Sequence, residues 1–341
     1  MNLKQLSELL GLSQTTISRA LNGYPEVGEE TRQRVLKAAQ ETGYRPNRAA
    51  RRLATGKAGS LGLVMPISPQ QSSDIHFAEF QSGLAEECLK HEFHFVIIPA
   101  HPDAEDQAIR GLVSGGAVDA YYLAYMREKD PRIAMAKSLP VPFIVHGRSL
   151  GLETDYPFLD VDNEDAFRAS AELLIGLGHR HFAFLNGPEH LDFAQRRKMG
   201  MQQALEKAGL ALPPHAVTHS LMSDEWGYRN ARIVLQMSPR PTALLVASTV
   251  LALGAVRAIE EAGLTLGRDI SLVAHDDDLQ LLKPENFTVP LTTTMSSLRA
   301  AGQRVAERLI AELEEPGKGP PLQELWKADL VIRASTGPCA G

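Results

Sequence analysis

With 341 residues, 44% of them hydrophobic and 22% charged, the chain has the composition of a globular protein with room for two or three cored domains, which excludes disorder throughout. Cys88 and Cys339 stand far apart and neither belongs to a CxxC pair, which argues against a structural disulfide or zinc site. The opening MNLKQLSELLGL is too polar for a secretory h-region and no apolar run reaches the length of a membrane span, so the expected location is the cytoplasm.

The net charge of −6 is unevenly placed. Residues 1–60 hold ten Lys and Arg against five Glu, a surplus of +5, so the remainder carries −11. A small nucleic-acid module attached to an acidic body has that asymmetry. Leu3, Leu6 and Leu10 fall on one face of a short helix, and Gly11 suits the turn that must follow. Ser13 is placed to cap a second helix through the Thr16 amide, with Ile17 and Leu21 facing inward and Gln14, Thr15, Ser18 and Arg19 outward. Asn22-Gly23 ends it. A third helix starts at Glu29 and Glu30, presents Val35, Leu36 and Ala39 as its inner face, and stops at Gly43. This pattern is a helix-turn-helix headpiece, although three short amphipathic helices also occur in all-α domains that never touch DNA.

The next stretch, YRPNRAARRLATGKAGS at residues 44–60, holds five basic residues and no acid. Pro46 can start a helix, and Leu53 is the only large apolar side chain within it, which a plain linker would not need. Beyond residue 60 the apolar runs SLGLVMP, FHFVIIP, VDAYYLAY and VPFIVHG read as buried parallel strands, separated by helices near 77–91 and 103–114. The pattern repeats with HRHFAFLNG, TALLVAS and DISLVAH as strands and helices near 164–177, 194–209, 226–237 and 250–263. Two doubly wound α/β lobes follow, and ligands of such sheets gather beyond the carboxyl ends of the strands.

In order, LSQTTISRALNG, TGYRPNRAARRLATGK, GHRHFAFLNGP, GRDISLVAHDD, PLTTT and RASTGP make the chain resemble a full-length member of the LacI/GalR family of bacterial transcriptional regulators. The resemblance implies a headpiece over residues 1–58 with a hinge helix at about 46–56, followed by a periplasmic-binding-protein-like core over 60–335. It also implies three crossings between lobes, with lobe one at about 60–160 and 291–318 and lobe two at about 161–290 and 319–335. Ser13, Gln14, Thr15, Thr16, Ser18 and Arg19 would enter the major groove, where Gln suits adenine and Arg guanine. Leu53 would wedge into the central minor groove, while Asn22, Asn47, Arg48, Arg51 and Arg52 would contact the duplex around it. The partners implied are operator DNA, a second copy of the chain and a small sugar; no cofactor is implied. No leucine heptads follow RASTGPCAG, so a tetramer is not expected.

For a sugar, a carboxylate and a guanidinium supply acceptors and a donor fork for adjacent hydroxyls. The resemblance assigns Arg197 and Asp276 to the effector, with Phe77, Gly147, Arg148, Ser248 and Ser296 also lining the pocket; Asp277 and Asp278 read as solvated. Ser248-Thr249 stands where many members carry Asn-Asp, so the effector differs from galactosides and pentoses. VHGR, and AHDD with LKPENF, resemble the branch controlling alpha-glucoside use, which favours such a disaccharide. The segment 67–76, ISPQQSSDIH, reads as a surface loop, Asp162-Asn163 as a helix cap, and His179 and His181 lack a third ligand for a metal. No catalytic constellation is found. A solute-binding protein would share the cleft but would need an export signal and no headpiece. The direction of the response, release or tightening on DNA, is left open by the chain.

Overall fold

The computed structural model describes residues 1–21, 23–44, 56–66 and 74–339. The chain divides into two units, Met1–Ala58 and Gly59–Gly341.

In the first unit, α1 (Leu3–Leu10) is opened by a reciprocal cap between Asn2 and Gln5 and closed by Gly11 at φ 66°. The second helix, α2 (Gln14–Leu21), and the third, α3 (Glu29–Glu41), pack on it around the fully buried Leu6, Ile17 and Val35. Leu36 departs from the expected inner face and is 41% exposed, with Ala38 buried instead. At 100° per residue, positions 35, 38 and 39 share a stripe that position 36 leaves. The hinge helix expected at 46–56 lies almost entirely outside the described residues.

The second unit holds two six-stranded sheets. Lobe one is built from β1 (Ser60–Pro66), β2 (His94–Ala100), β3 (Ala120–Leu123), β4 (Phe143–His146), β5 (Phe158–Val161) and β11 (Gln323–Trp326), in the order β11-β5-β4-β3-β1-β2, all parallel. Its helices are α4 (Ile75–Lys90), α5 (Glu105–Ser114), α6 (Pro131–Lys137) and α11 (Leu298–Glu314). Lobe two is built from β6 (Phe182–Asn186), β7 (Val217–His219), β8 (Ala243–Val246), β9 (Ser271–Asp276), β10 (Thr292–Met295) and β12 (Asp329–Val331), in the order β12-β10-β9-β8-β6-β7, with only β12 antiparallel. Its helices are α7 (Asn163–Gly176), α8 (Asp192–Lys207), α9 (Asp224–Leu235) and α10 (Thr249–Glu261).

The expected lobe boundaries need correction at two crossings. Residues 292–295 were assigned to lobe one, yet β10 pairs with β9 in lobe two; the switch falls after this strand, before α11. Residues 323–326 were assigned to lobe two, yet β11 pairs with β5. The physical reason is that β10 is a buried strand made of threonines, whose amides and hydroxyls are satisfied by Ser335, Arg333 and His275 rather than hidden among aliphatic neighbours. Strand β2 is not buried either: it is an edge strand, and Ile97 is 37% exposed.

Helix pairs approach closely through glycine. A Cβ on Gly302 of α11 would stand 2.0 Å from the Phe80 carbonyl oxygen of α4, and one on Gly83 would stand 1.9 Å from Arg299 O. The α7–α8 pair uses Gly200 against Glu164, and α9–α10 uses Gly227 and Gly254 in the same way. These contacts hold the layers that set the helix N-termini over the cleft. His179 anchors the C-terminal segment, hydrogen-bonding Thr242 Oγ1 and Ser271 Oγ at 3.0 Å each and the Gly337 carbonyl at 3.1 Å. Among the described residues, no helix is long and apolar enough to cross a membrane.

Candidate functional sites: an exposed helix and an interlobe cleft

In the first unit Ser13 Oγ accepts the Thr16 amide at 3.0 Å and meets Thr16 Oγ1 at 2.8 Å, so α2 begins with an organised cap. Gln14, Thr15 and Arg19 are exposed, and Thr16 and Ser18 are half-buried beside them. No acidic residue stands in the first turn of α2, whereas α3 has Glu29 and Glu30 there. The α2 N-terminus therefore keeps its favourable field for phosphate. Asn22, Asn47, Arg48, Arg51, Arg52 and Leu53 lie outside the described residues.

In the second unit, a cleft with about 920 Å³ of empty space, its mouth included, opens beyond the carboxyl ends of both sheets. Phe77, Gly147, Arg148, Arg197 and Ser296 line it. Gly147 follows β4 at φ 107°, a conformation that L side chains rarely adopt, and its amide donates to Leu159 O at 2.9 Å. Arg148 Nε then reaches Asp160 Oδ2 of β5 at 2.9 Å. Arg197 is 5% exposed; its Nε donates to Asn163 Oδ1 at 2.7 Å and its Nη1 to Ala247 O at 2.5 Å. The guanidinium lies 4.8 Å over Phe193 and 5.2 Å over Phe167. Burial lowers its pKa to about 10, against the pull of Asp277 and Asp160.

Ser248 and Asp276 do not line the cleft. Ser248 is fully buried and caps α10, accepting the Leu251 amide at 3.2 Å. Asp276 accepts the Asp278 amide at 2.9 Å, and burial raises its pKa to about 6. Of the three consecutive aspartates, Asp277 is the one that lines the cleft, which corrects the reading of it as solvated: it is 6% exposed, with His76 Nε2 at 3.4 Å and His275 Nε2 at 3.5 Å. Burial raises the Asp277 carboxyl, while the charges of His76 and Arg197 oppose that rise. Asp278 pairs with Lys283 at 2.6 Å.

Several cleft residues escaped the sequence reading. Asp74 and His76 belong to the stretch read as a loop; they cap and open α4, Asp74 Oδ1 accepting the His76 amide at 3.0 Å and meeting His76 Nδ1 at 2.9 Å. Residues 67–73 lie outside the described residues. Burial works against the charge on both side chains, yet their hydrogen bonds and mutual attraction prevail: the Asp74 pKa is lowered and that of His76 raised, Asp277 adding to the latter. Asp162 is indeed a cap, accepting the Asp165 amide at 3.0 Å, but Asn163 beside it orients Arg197. Asp192, at the first position of α8, spans the lobes: its Oδ1 accepts the Leu150 amide at 2.6 Å and its own amide donates to Met126 O at 2.8 Å. His146 stacks on Phe80 at 4.2 Å, and burial lowers its pKa to about 4. The signal that would have found Asp160 and Asp277 is position alone, since both sit at or just beyond the carboxyl end of a strand.

Residues 2–47 match the family described as bacterial regulatory proteins, lacI family, and residues 171–336 match a periplasmic binding protein-like domain. The HTH-type transcriptional regulator AglR of Rhizobium meliloti is 62% identical over 99% of this chain and 94% of its own. The lac repressor dimer bound to operator and the anti-inducer ONPF superposes with a TM-score of 0.84 at 26% identity, covering 99% of both chains. A CelR–cellobiose complex gives a TM-score of 0.71 at 26% identity over 98% of this chain and 99% of that one. An exposed, capped helix in the first unit, a ligand-sized cleft in the second and these full-length likenesses lead to one conclusion: the chain belongs to the lacI family of bacterial regulatory proteins and is a DNA-binding transcriptional regulator.

Proposed function

We propose that the protein is a cytoplasmic homodimeric repressor of sugar-utilisation genes, released from a pseudo-palindromic operator when an alpha-glucoside disaccharide enters the interlobe cleft. The observation that carries this reading is the meeting of Arg197, Asn163, Asp277 and His76 in a cleft walled by Phe77, Tyr125 and Phe193. Hydroxyls need acceptors and donors side by side, and the apolar faces of sugar rings need aromatic walls. Cellobiose in the CelR complex, and operator with an anti-inducer in the lac repressor dimer, support the same pairing of functions. Gln14 and Thr15 read base edges, with Arg19 beside them and Ser13, Thr16 and Ser18 ordering the helix start on phosphate. Asn22, Asn47, Arg48 and Arg51 add backbone contacts, and Leu53 wedges into the central minor groove.

Sugar in the cleft changes the pose of the lobes, and the ordering cost of the hinge is then no longer offset by DNA contacts. The test is fluorescence anisotropy of labelled DNA from upstream of the protein's own gene, titrated with protein and then with maltose, trehalose, sucrose, glucose and galactose. Release by an alpha-glucoside is expected; tightening would make the sugar a corepressor, and indifference to every sugar would remove the ligand assignment.

A further inference from the structure

We infer that the cleft selects an uncharged sugar and rejects its phosphorylated and carboxylated forms. This inference rests on the reading of the cleft as a sugar site and narrows it to one charge class. Helix N-termini are the ready-made anion sites of such a fold. Here two of them are occupied by the protein's own carboxylates, Asp74 capping α4 and Asp162 capping α7, and Asp192 adds a negative charge in the first turn of α8. Two further N-termini adjoin cleft-lining residues: that of α9, beside Met222, is capped by the Ser223 hydroxyl, and that of α11, beside Ser296 and Leu298, by the Ser297 hydroxyl.

The basic side chains are partly engaged in the same manner, Arg148 through Nε alone and Arg197 through two of its three nitrogens. Arg148 donates its Nε to Asp160, and Arg196, behind the cleft, donates its Nε to Asp192 Oδ2. Arg197 gives two nitrogens to Asn163 and Ala247, which leaves Nη2 for a ligand. Among the described lining residues there is no lysine, and four carboxylates, Asp74, Asp160, Asp192 and Asp277, stand against Arg148, Arg197 and the raised imidazole of His76. Asp277 and Asp160 both lie close enough to Arg197 to act on its charge.

A carboxylate only accepts hydrogen bonds, whereas a hydroxyl both gives and accepts. A sugar hydroxyl can accept a hydrogen bond from Arg197 while donating one to Asp277. A phosphate or uronate oxygen beside the same pair brings an acceptor against an acceptor, and a negative charge against a negative charge in a cavity of low dielectric.

The test is calorimetric titration of the full chain with maltose, trehalose and sucrose, with trehalose 6-phosphate and sucrose 6-phosphate, and with cellobiose as a neutral sugar of the other linkage. Phosphorylation is expected to weaken binding of the same sugar at least 100-fold. Asp160→Asn keeps a side-chain oxygen for Arg148 Nε and removes one negative charge from the cleft, so the ratio between phosphorylated and neutral forms should fall about tenfold. A phosphorylated sugar that binds as tightly as its parent overturns the inference and leaves the sugar site standing. Binding of cellobiose alone calls for cellobiose 6′-phosphate as its charged pair: the alpha-glucoside reading is then overturned, and the inference stands if that phosphate binds at least 100-fold more weakly and falls if it binds as tightly. No binding by any member of the panel overturns both.

Discussion

Replacing Arg197 by lysine keeps the charge and removes the fork. The guanidinium makes two hydrogen bonds to neutral acceptors, Asn163 Oδ1 at 2.7 Å and Ala247 O at 2.5 Å, and lies over two aromatic rings. Hydrogen bonds from a charged donor contribute about 1.5–3 kcal/mol each, and an ammonium on a shorter reach keeps at most one of them. The lost stacking adds roughly 0.5–1 kcal/mol. The net loss of about 2–4 kcal/mol should lower the melting temperature of the core by roughly 4–16 °C. The ligand loses the donor at Nη2 and the ordered Asn163, so sugar affinity should fall roughly 30- to 100-fold at 1.4 kcal/mol per decade. Calorimetric titration and thermal melting of wild type and Arg197→Lys measure both. Sugar affinity within threefold of wild type would refute the assignment of Arg197 to the ligand, whatever happens to stability.

Ile17→Ala empties a fully buried position in the small first unit and should cost about 2–4 kcal/mol there, so operator binding measured by anisotropy falls more than tenfold while sugar binding is kept. Gly302→Ala sets a methyl 2.0 Å from Phe80 O and should lower the core melting temperature by roughly 6 °C or more, whereas Gly111→Ala in α5, with nothing within 4 Å, should leave it unchanged or slightly higher. The His146 pKa is depressed from 6.5 to about 4, so the folded state binds fewer protons than the unfolded state in that window, and stability is lost as pH falls from about 6.5 to 4. His146→Phe keeps a ring on Phe80 and should gain about 3 kcal/mol on wild type across that window in pH-dependent denaturation; parallel curves would contradict the assignment.

The parts of the fold legible in the sequence are those held by uninterrupted aliphatic runs. SLGLVMP, FAFLN, ALLV and SLVAHD form the sheet centres, and periodic stretches between them form the helices. The strands FLDV, VTH, TTTM, QELW and DLV are short, polar or at an edge, and they are buried or paired through long-range partners that periodicity does not reveal. Helix α6 has only seven residues, and α11 follows the misassigned β10. The first three helices were legible, Leu36 apart, because their caps and core stripe are local. In the cleft, Arg197 and Arg148 were found through resemblance, while Asp74, His76, Asp160 and Asp192 converge only through folding, from α4, β5 and α8. Ser248 shows the converse: a side chain at an expected ligand position serves its own helix instead.

Coupling between sugar binding and DNA binding is reciprocal, so it is measurable from both ends. The measurement is the protein's affinity for whichever sugar of the panel shifts its operator binding, determined with saturating operator DNA and without it at one salt concentration. Operator should weaken sugar binding by the same factor by which sugar weakens operator binding. Equal sugar affinity in the two conditions would contradict it, since a ligand with no preference between the two states cannot move the protein from one to the other.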